Sequence, residues 1–200
     1  PSKCPSCNSF LVRKKAESVI RCENTNFCKE QRIGILAHFI SRQCFNIDGL
    51  GGSQLRIFWH NDFIKNFEDI FTLEKKQQKK LIDIKKLEGW GDKSLENLFN
   101  AINVSRNIDF DRFLFALGIR HIGQNTALIL SESFNSIESF LIYFQKKSNI
   151  SSRGFEGIGK IILNSLFDYF SCELNIDSLK KLLVYTSIKY KKIKNNKKYN

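Results

Sequence analysis

Methionine is absent from the 200-residue sequence, and proline occurs only as Pro1 and Pro5. Because proline disrupts helix interiors, its absence after Pro5 leaves the rest of the chain free to form helices. No apolar run reaches the roughly 18 residues that a membrane-spanning helix needs. The first four residues, Pro1 to Cys4, lack the apolar segment of a signal peptide. We therefore expect an intracellular protein whose cysteines are reduced.

Acidic residues are also scarce, with 20 against 32 lysines and arginines, which gives a formal net charge of +12. Half of this excess lies in residues 189–200, which contain six lysines and no acid. The remainder of the chain is still basic. A basic surface favours a polyanionic partner, with nucleic acid first and an anionic membrane second. A general bias toward lysine is the alternative explanation of the charge.

Four of the six cysteines lie within the first 28 residues. Two residues separate Cys4 from Cys7, fourteen separate Cys7 from Cys22, and five separate Cys22 from Cys28. Strand-like runs between the pairs indicate a hairpin that returns the second pair to the first. This pattern is typical of a structural Cys4 zinc site, and disulfides are the less favoured alternative in a reducing compartment. Because the last gap is wide, His38 is an alternative to Cys28 as fourth ligand.

Glycine recurs in four short signals along the rest of the chain. Three have the form glycine, apolar residue, glycine, and the third has a histidine in place of the first glycine. Their starting positions are 40, 32 and 36 residues apart, which indicates a repeated unit. Apolar residues at helical spacing follow each signal, so each unit is predicted to be helix, tight turn, helix. The signals are Gly49-Leu50-Gly51, Gly89-Trp90-Gly91, His121-Ile122-Gly123 and Gly157-Ile158-Gly159.

Such turns are suited to binding phosphate. Glycine permits a left-handed backbone and a close approach by another molecule. The helix that follows presents unpaired N–H groups with partial positive charge. Contacts of this kind bind the nucleic acid backbone without reading its sequence. The predicted DNA-binding residues are Gly49, Gly51, Gly89, Gly91, Lys93, Arg120, His121, Gly123, Gly157, Gly159 and Lys160.

Taken together, the cysteine spacing, the run Asn46-Ile47-Asp48-Gly49-Leu50-Gly51 and the run from Leu114 to Gly123 resemble the bacterial NAD-dependent DNA ligases. The resemblance covers roughly residues 1 to 185. It implies a Cys4 zinc module at residues 1–33 and four helix-hairpin-helix motifs at residues 34–176. Residues 177–200 are predicted to be a Lys/Asn-rich linker or tail. The expected fold is mainly α, with a small zinc-ribbon-like β hairpin before an all-helical domain.

The resemblance implies more chemistry than this chain contains. Ligases of this family adenylate a lysine in a Lys-x-Asp-Gly motif, and no such motif occurs here. The adenylation and OB-fold domains, with their NAD and Mg²⁺, would lie before Pro1, and a BRCT domain usually follows the hairpins. We expect this segment to be non-catalytic alone, to bring its own Zn²⁺, and to clamp nicked duplex DNA during replication and repair.

The resemblance further implies a monomer in the bacterial cytoplasm, associated with the nucleoid and not with a membrane. The alternative is a stand-alone accessory protein that binds DNA through the same zinc and helix-hairpin-helix elements without sequence specificity. A protein-interaction scaffold, with the zinc module as docking surface, is a third interpretation.

Overall fold

The computed structural model describes residues 1–13, 18–145 and 155–191. It opens with a two-stranded antiparallel hairpin, β1 (Leu11–Val12) and β2 (Arg21–Cys22), in which Leu11 pairs with Cys22. Helices then dominate, which confirms the predicted fold class. Within the described residues they are α1 (Lys29–Ile40), α2 (Gly52–His60), α3 (Phe67–Gln78), α4 (Asp92–Ser105), α5 (Phe110–Ala116), α6 (Gln124–Ser131), α7 (Ile137–Gln145), α8 (Lys160–Ser171) and α9 (Glu173–Leu183).

The first eight helices form four hairpins in chain order, which we number hairpin 1 (α1 and α2) to hairpin 4 (α7 and α8). The two helices of each hairpin pack against each other. In hairpin 2 a short 3₁₀ helix, Ile84–Lys86, stands between α3 and the turn. Among the described residues, no helix is both long enough and apolar enough to cross a membrane.

One continuous apolar core runs through all four hairpins, and phenylalanine supplies much of it. Around hairpin 1 the ring of Phe39 stacks on Phe45 and Phe67, with centroids 4.0 and 4.4 Å apart. Around hairpin 4 the rings of Phe140 and Phe144 lie 4.7 Å apart and are both fully buried. Each buried phenylalanine stabilises the fold by about 1.5–3 kcal/mol, so the helical body does not depend on a metal for its core.

The C-terminal residues close this body. Helix α9 packs against α3 and α8, which lie in different hairpins. After it, strand β4 (Ser187–Lys189) pairs in parallel with β3 (Asn107–Asp109). The hydroxyl of Tyr190 accepts a hydrogen bond of 2.9 Å from the backbone N–H of Ile137, at the start of α7.

Residues 177–191 therefore differ from the predicted tail. Leu179 and Leu182 are buried in the core, and burial of apolar side chains outweighs the lysine-rich composition that suggested a linker. The remainder of that predicted tail, residues 192–200, lies outside the described residues. The predicted boundary at residue 33 also differs from the structure, because α1 already begins at Lys29.

Arg106 joins the C-terminal segment to the hairpins. Its guanidinium donates hydrogen bonds to the backbone carbonyl of Phe71, at 2.8 Å, and to that of Tyr185, at 3.2 Å. It also lies over the rings of both residues, 5.4 and 5.9 Å from their centroids. The backbone carbonyl of Arg106 accepts the N–H of Ser187 at 2.7 Å. One side chain thus fixes α3, α4 and the segment after α9 relative to one another.

Candidate metal centre and nucleic-acid interface

The four predicted cysteine ligands converge on one point. All four Sγ atoms lie within 4.8 Å of one another, with 3.9 Å between Cys4 and Cys28 and 3.5 Å between Cys7 and Cys22. Four thiolates at about 2.3 Å from a zinc ion would stand about 3.8 Å apart at tetrahedral angles. Disulfides would require about 2.05 Å, and all four cysteines are free thiols. The donor set and its spacing fit a closed zinc site.

Local backbone structure sets up this cluster. A tight turn brings the N–H of Asn8 to the carbonyl of Cys4 at 2.9 Å, and Asn8 adopts a left-handed backbone with φ 61°. Hydrogen bonds with the side chain and, to a smaller extent, the backbone of Ser9 lower the pKa of the Cys7 thiol to about 6. Desolvation raises the pKa of Cys22 to about 11. Ser9 therefore favours the thiolate form that a metal binds.

Within its described residues, 1–13 and 18–28, the small module has no apolar core that could replace the metal. Cys4 and Cys28 are buried, yet neither belongs to the apolar core of the helical body. Phe10 and Phe27 are 74% and 76% exposed. The sulfur cluster is therefore what holds residues 1–13 and 18–28 together, as expected of a structural zinc site.

The cluster is connected directly to hairpin 1. Cys28 is the N-cap residue of α1, and the N–H of Arg32 bonds to its carbonyl at 2.9 Å. Gln31 of the same helix donates a 2.6 Å hydrogen bond to the carbonyl of Cys22. The metal site thereby sets the position at which α1 starts. Sequence reasoning missed Ser9 and Gln31, because a polar residue near a ligand is too common to be informative.

His38, the alternative fourth ligand, lies elsewhere. Its Nε2 is 2.8 Å from the backbone carbonyl of Phe115 in α5, and its ring packs edge-on against Phe115. His38 is thus part of the contact between hairpins 1 and 3. The two remaining cysteines also lie away from the cluster: Cys44 is buried in the core, and Cys172 is the N-cap residue of α9.

The four glycine signals form one repeated backbone structure. In each turn, the backbone N–H of the apolar residue, which is the second residue of the signal, donates a hydrogen bond to the carbonyl three residues earlier. These bonds join Leu50 to Ile47, Trp90 to Leu87, Ile122 to Ile119 and Ile158 to Phe155, at 3.1 to 3.4 Å. The third residue of every four-residue turn, which is the first residue of the signal, has a left-handed backbone. Its φ is 83° at Gly49, 81° at Gly89, 65° at His121 and 84° at Gly157.

His121 is the only one of these four left-handed residues that is not glycine. A left-handed backbone costs a non-glycine residue roughly 1–2 kcal/mol. Hairpin 3 nevertheless adopts the same turn as the other three hairpins, and the imidazole of His121 is exposed. The histidine in place of glycine therefore changes the side chain that the turn presents and leaves the backbone geometry unchanged.

The second glycine of each signal is the N-cap residue of the following helix. Gly51, Gly91, Gly123 and Gly159 all have an extended backbone that any residue can adopt, with φ between −74° and −108°. A Cβ added at Gly91, Gly123 or Gly159 would meet no atom within 4 Å. Neither backbone conformation nor internal packing explains glycine at these three positions.

The hairpins associate in two pairs. A Cβ at Gly49 would lie 4.0 Å from Leu98 of α4, so the turn of hairpin 1 sits against hairpin 2. A Cβ at Gly157 would lie 3.5 Å from Ile129 of α6, so the turn of hairpin 4 sits against hairpin 3. His121 and Gly159 line the same open cleft. The predicted phosphate-binding residues of hairpins 3 and 4 are therefore neighbours in space.

Hairpin 2 has a different electrostatic environment. Of the helices that follow the four turns, only α4 has an acid in its first turn, Asp92, which forms an ion pair with Lys85. Lys93 is 3.0 Å from Glu96. Trp90 packs on the buried Phe58 of α2, with ring centroids 5.1 Å apart, and so anchors the turn of hairpin 2 on hairpin 1. Among the described residues, Lys160 of hairpin 4 has no ion pair.

Two segments of the chain match known protein families. Residues 3–29 match the family described as NAD-dependent DNA ligase C4 zinc finger domain. Residues 112–179, which contain the turns of hairpins 3 and 4, match the family described as helix-hairpin-helix motif. The zinc-finger match and the sulfur cluster together support a structural Zn²⁺ site at these four cysteines.

Similar proteins carry the name DNA ligase. The chain is 40% identical over 190 residues to the DNA ligase of Neorickettsia sennetsu, covering 91% of this chain and 27% of that protein. It is 39% identical over 190 residues to the DNA ligase of Ehrlichia chaffeensis, covering 94% of this chain and 28% of that protein. The chain thus spans about a quarter of the length of the relatives it matches.

Proposed function

We propose that this chain, which corresponds to the zinc-finger and helix-hairpin-helix portion of the NAD-dependent DNA ligases, holds duplex DNA for such an enzyme. The DNA is a duplex with a nick, which the complete ligase seals during replication and repair. The protein acts as a monomer in the bacterial cytoplasm, on the nucleoid. The catalytic residues, the NAD and the Mg²⁺ belong to the remainder of the enzyme.

The N-cap glycines are the observation that carries this proposal. Gly123 and Gly159 face open space, and their conformations do not require glycine. A glycine that the fold does not need is explained by a partner that approaches the backbone closely. Because a glycine N-cap offers no side-chain acceptor, the first N–H groups of α6 and α8 stay available to an external anion such as a phosphate.

Charged and polar side chains around the turns extend this binding surface. Hairpin 3 contributes Arg120 and His121, and hairpin 4 contributes Lys160. Gly49 and Gly51 in hairpin 1, and Gly89, Gly91 and Lys93 in hairpin 2, complete the proposed set with Gly157. Hairpin 2 contributes least, since Asp92 places a negative charge where a phosphate would bind. All of these contacts go to the DNA backbone, so binding does not depend on base sequence.

The zinc module orients this surface. Cys28 connects the metal to the first residue of α1, and α1 leads into the turn of hairpin 1. When bound, Zn²⁺ would hold the four thiolates in fixed positions and serve a structural role only. The module thus determines the angle at which hairpin 1, and through Leu98 hairpin 2, meets the DNA.

Fluorescence anisotropy with labelled duplexes tests the binding proposal. We expect binding to nicked and intact duplexes of unrelated sequence, with stronger binding to the nicked one. The logarithm of the association constant should fall linearly with the logarithm of salt concentration, with a slope near −0.9 for each phosphate contact. Affinity that does not change between 50 and 200 mM salt would contradict the proposal.

A chimera tests the ligase assignment separately. This chain replaces the matching segment of the Neorickettsia sennetsu DNA ligase, and nick sealing is measured with a gel assay. We expect the chimera to seal nicks, whereas deletion of the segment should abolish sealing at physiological salt. A chimera that binds DNA but does not seal nicks would contradict the ligase assignment. This chain would then be a DNA-binding protein that is not part of a ligase.

A further inference from the structure

An apolar side chain stands in the middle of the proposed DNA-binding surface. One open cleft between hairpins 3 and 4 is lined by His121, Gly159, Lys160, Ile161 and Ile162. The side chain of Ile161 is 67% exposed. The buried face of α8 consists of other residues, namely Leu163, Leu166, Phe167 and Phe170. Packing within the protein therefore does not account for isoleucine at position 161.

The other three hairpins show what this position normally holds. Ile161 is the second residue of α8, after the N-cap Gly159. The equivalent second residues are Ser53 in α2, Lys93 in α4 and Asn125 in α6, all of them polar. Since the four turns share one backbone geometry, a polar residue at position 161 is compatible with the fold. The isoleucine is a feature of hairpin 4 alone.

We propose that Ile161 packs against the deoxyribose next to the phosphate held at the start of α8, with His121 forming the opposite wall of the cleft. This inference rests on the proposed function, because it assumes that hairpins 3 and 4 contact the DNA backbone. The inference adds an apolar contact to the phosphate contact. The group bound in the cleft is the C–H edge of a sugar and not a charged group.

The chemistry of the DNA backbone supports a sugar in this place. Each backbone phosphate is flanked by deoxyriboses, whose C1′ to C5′ atoms offer apolar surface. A phosphate at the N–H groups after Gly159 brings a sugar beside the next residues of the helix, which are Lys160 and Ile161. Ribose carries a 2′-hydroxyl, and burial of a hydroxyl against isoleucine without a hydrogen-bond partner is unfavourable. Ile161 thus favours a deoxyribose strand over a ribose strand.

The size and charge of the cleft favour this ligand over a protein. A stable protein interface buries about 800 Å² on each partner, far more than one isoleucine between two hairpins provides. Lys160 and His121 border the apolar side chain, so the cleft combines one positive charge and a polar ring at its edge with a small apolar centre. A sugar-phosphate unit has the matching combination of an anionic group and an apolar edge.

The variant Ile161→Ser tests the inference, because serine occupies the equivalent position in hairpin 1. Binding to a DNA duplex is measured by fluorescence anisotropy over a range of salt concentrations, beside Lys160→Gln. We expect Ile161→Ser to weaken binding by roughly five- to tenfold with an unchanged salt slope, since an apolar contact releases no counterions. Lys160→Gln should instead reduce the magnitude of the slope by about 0.9. The preference for DNA over an RNA–DNA duplex should also decrease in Ile161→Ser.

The matched control is Ile142→Ser, which removes a 57% exposed isoleucine from α7 outside the turns and should leave DNA affinity unchanged. Thermal denaturation checks that both serine variants fold, and Ile161→Val, which retains an apolar side chain, should retain most of the affinity. Unchanged affinity in Ile161→Ser, or a loss equal to that of Ile142→Ser, would overturn the inference. If the unaltered chain fails to bind DNA at all, the proposed function fails first.

Discussion

Replacing Gly159 by serine separates the needs of the fold from those of DNA binding. The backbone of Gly159 has φ −79° and ψ 166°, which serine adopts without strain, and no atom lies within 4 Å of the added Cβ. Serine is also a better N-cap residue than glycine, because its hydroxyl accepts a hydrogen bond from the first turn of the helix. We therefore expect the free energy of unfolding to stay the same or to rise by a few tenths of a kcal/mol.

DNA binding should respond in the opposite direction. The serine hydroxyl occupies the N–H groups of α8 and the space that a phosphate needs. Loss of one phosphate contact should reduce the salt slope by about 0.9. An anion at a helix N-terminus is stabilised by about 1 kcal/mol, so affinity should fall roughly fivefold. The assay is a salt series of anisotropy titrations, paired with thermal denaturation of the same samples.

Gly34→Ser provides the control for this experiment. Gly34 lies inside α1, away from the turns, and a Cβ there also meets no atom within 4 Å. Glycine in a helix interior is unfavourable, so the control should be slightly more stable and should bind DNA normally. A joint loss of stability and affinity in Gly159→Ser would show that this glycine serves folding. Unchanged affinity and slope would show that the turn of hairpin 4 holds no phosphate.

Three further changes test other parts of the structure. Cys28→Ser should abolish zinc retention, measured by metal analysis after gel filtration. Circular dichroism of the same variant should still show the helical body. Loss of all helical signal would refute an apolar core that is independent of the metal. Arg106→Met removes the guanidinium that donates to the backbone carbonyls of Phe71 and Tyr185. The free energy of unfolding, measured in urea, should fall by about 2–4 kcal/mol. A decrease below about 1 kcal/mol would refute the conclusion that Arg106 joins the C-terminal segment to the hairpins. His121→Gly relieves a left-handed histidine and should raise stability by up to about 1 kcal/mol while weakening DNA binding. Lys80→Gly, at another left-handed position outside the turns, should raise stability with a smaller effect on binding.

Much of the site could be predicted from sequence because its determinants are local. A turn with a left-handed third position nearly requires glycine there, so Gly49, Gly89 and Gly157 mark three of the four turns directly. The fourth turn follows from the matching position of Gly123. The cysteine pairs are similarly informative, since two thiols separated by two residues have few explanations other than a metal. The fold class and the Cys4 site for zinc are confirmed, and the assignment of individual DNA-binding residues stays a prediction.

The remaining features depend on contacts between distant residues, which periodicity does not show. Strands β3 and β4 have three residues each, too few for an alternating pattern, and they pair across most of the domain. The lysine-rich composition near Lys180 suggested a tail because buried Leu179 and Leu182 are only a small part of that segment. The packing of Gly49 on Leu98, which pairs hairpin 1 with hairpin 2, likewise has no local signal.

The pairing of Ser187 with Asn107 has a consequence for how the chain reaches its native state. Contacts between residues far apart in sequence form slowly, because a long loop must close before they stabilise anything. During synthesis the four hairpins emerge and form their local contacts first. The contacts that α9 makes with α3 and α8 can form only when α9 has left the ribosome. We therefore expect the proposed DNA-binding surface to be completed last, so that an incompletely synthesised chain would not present it in final form.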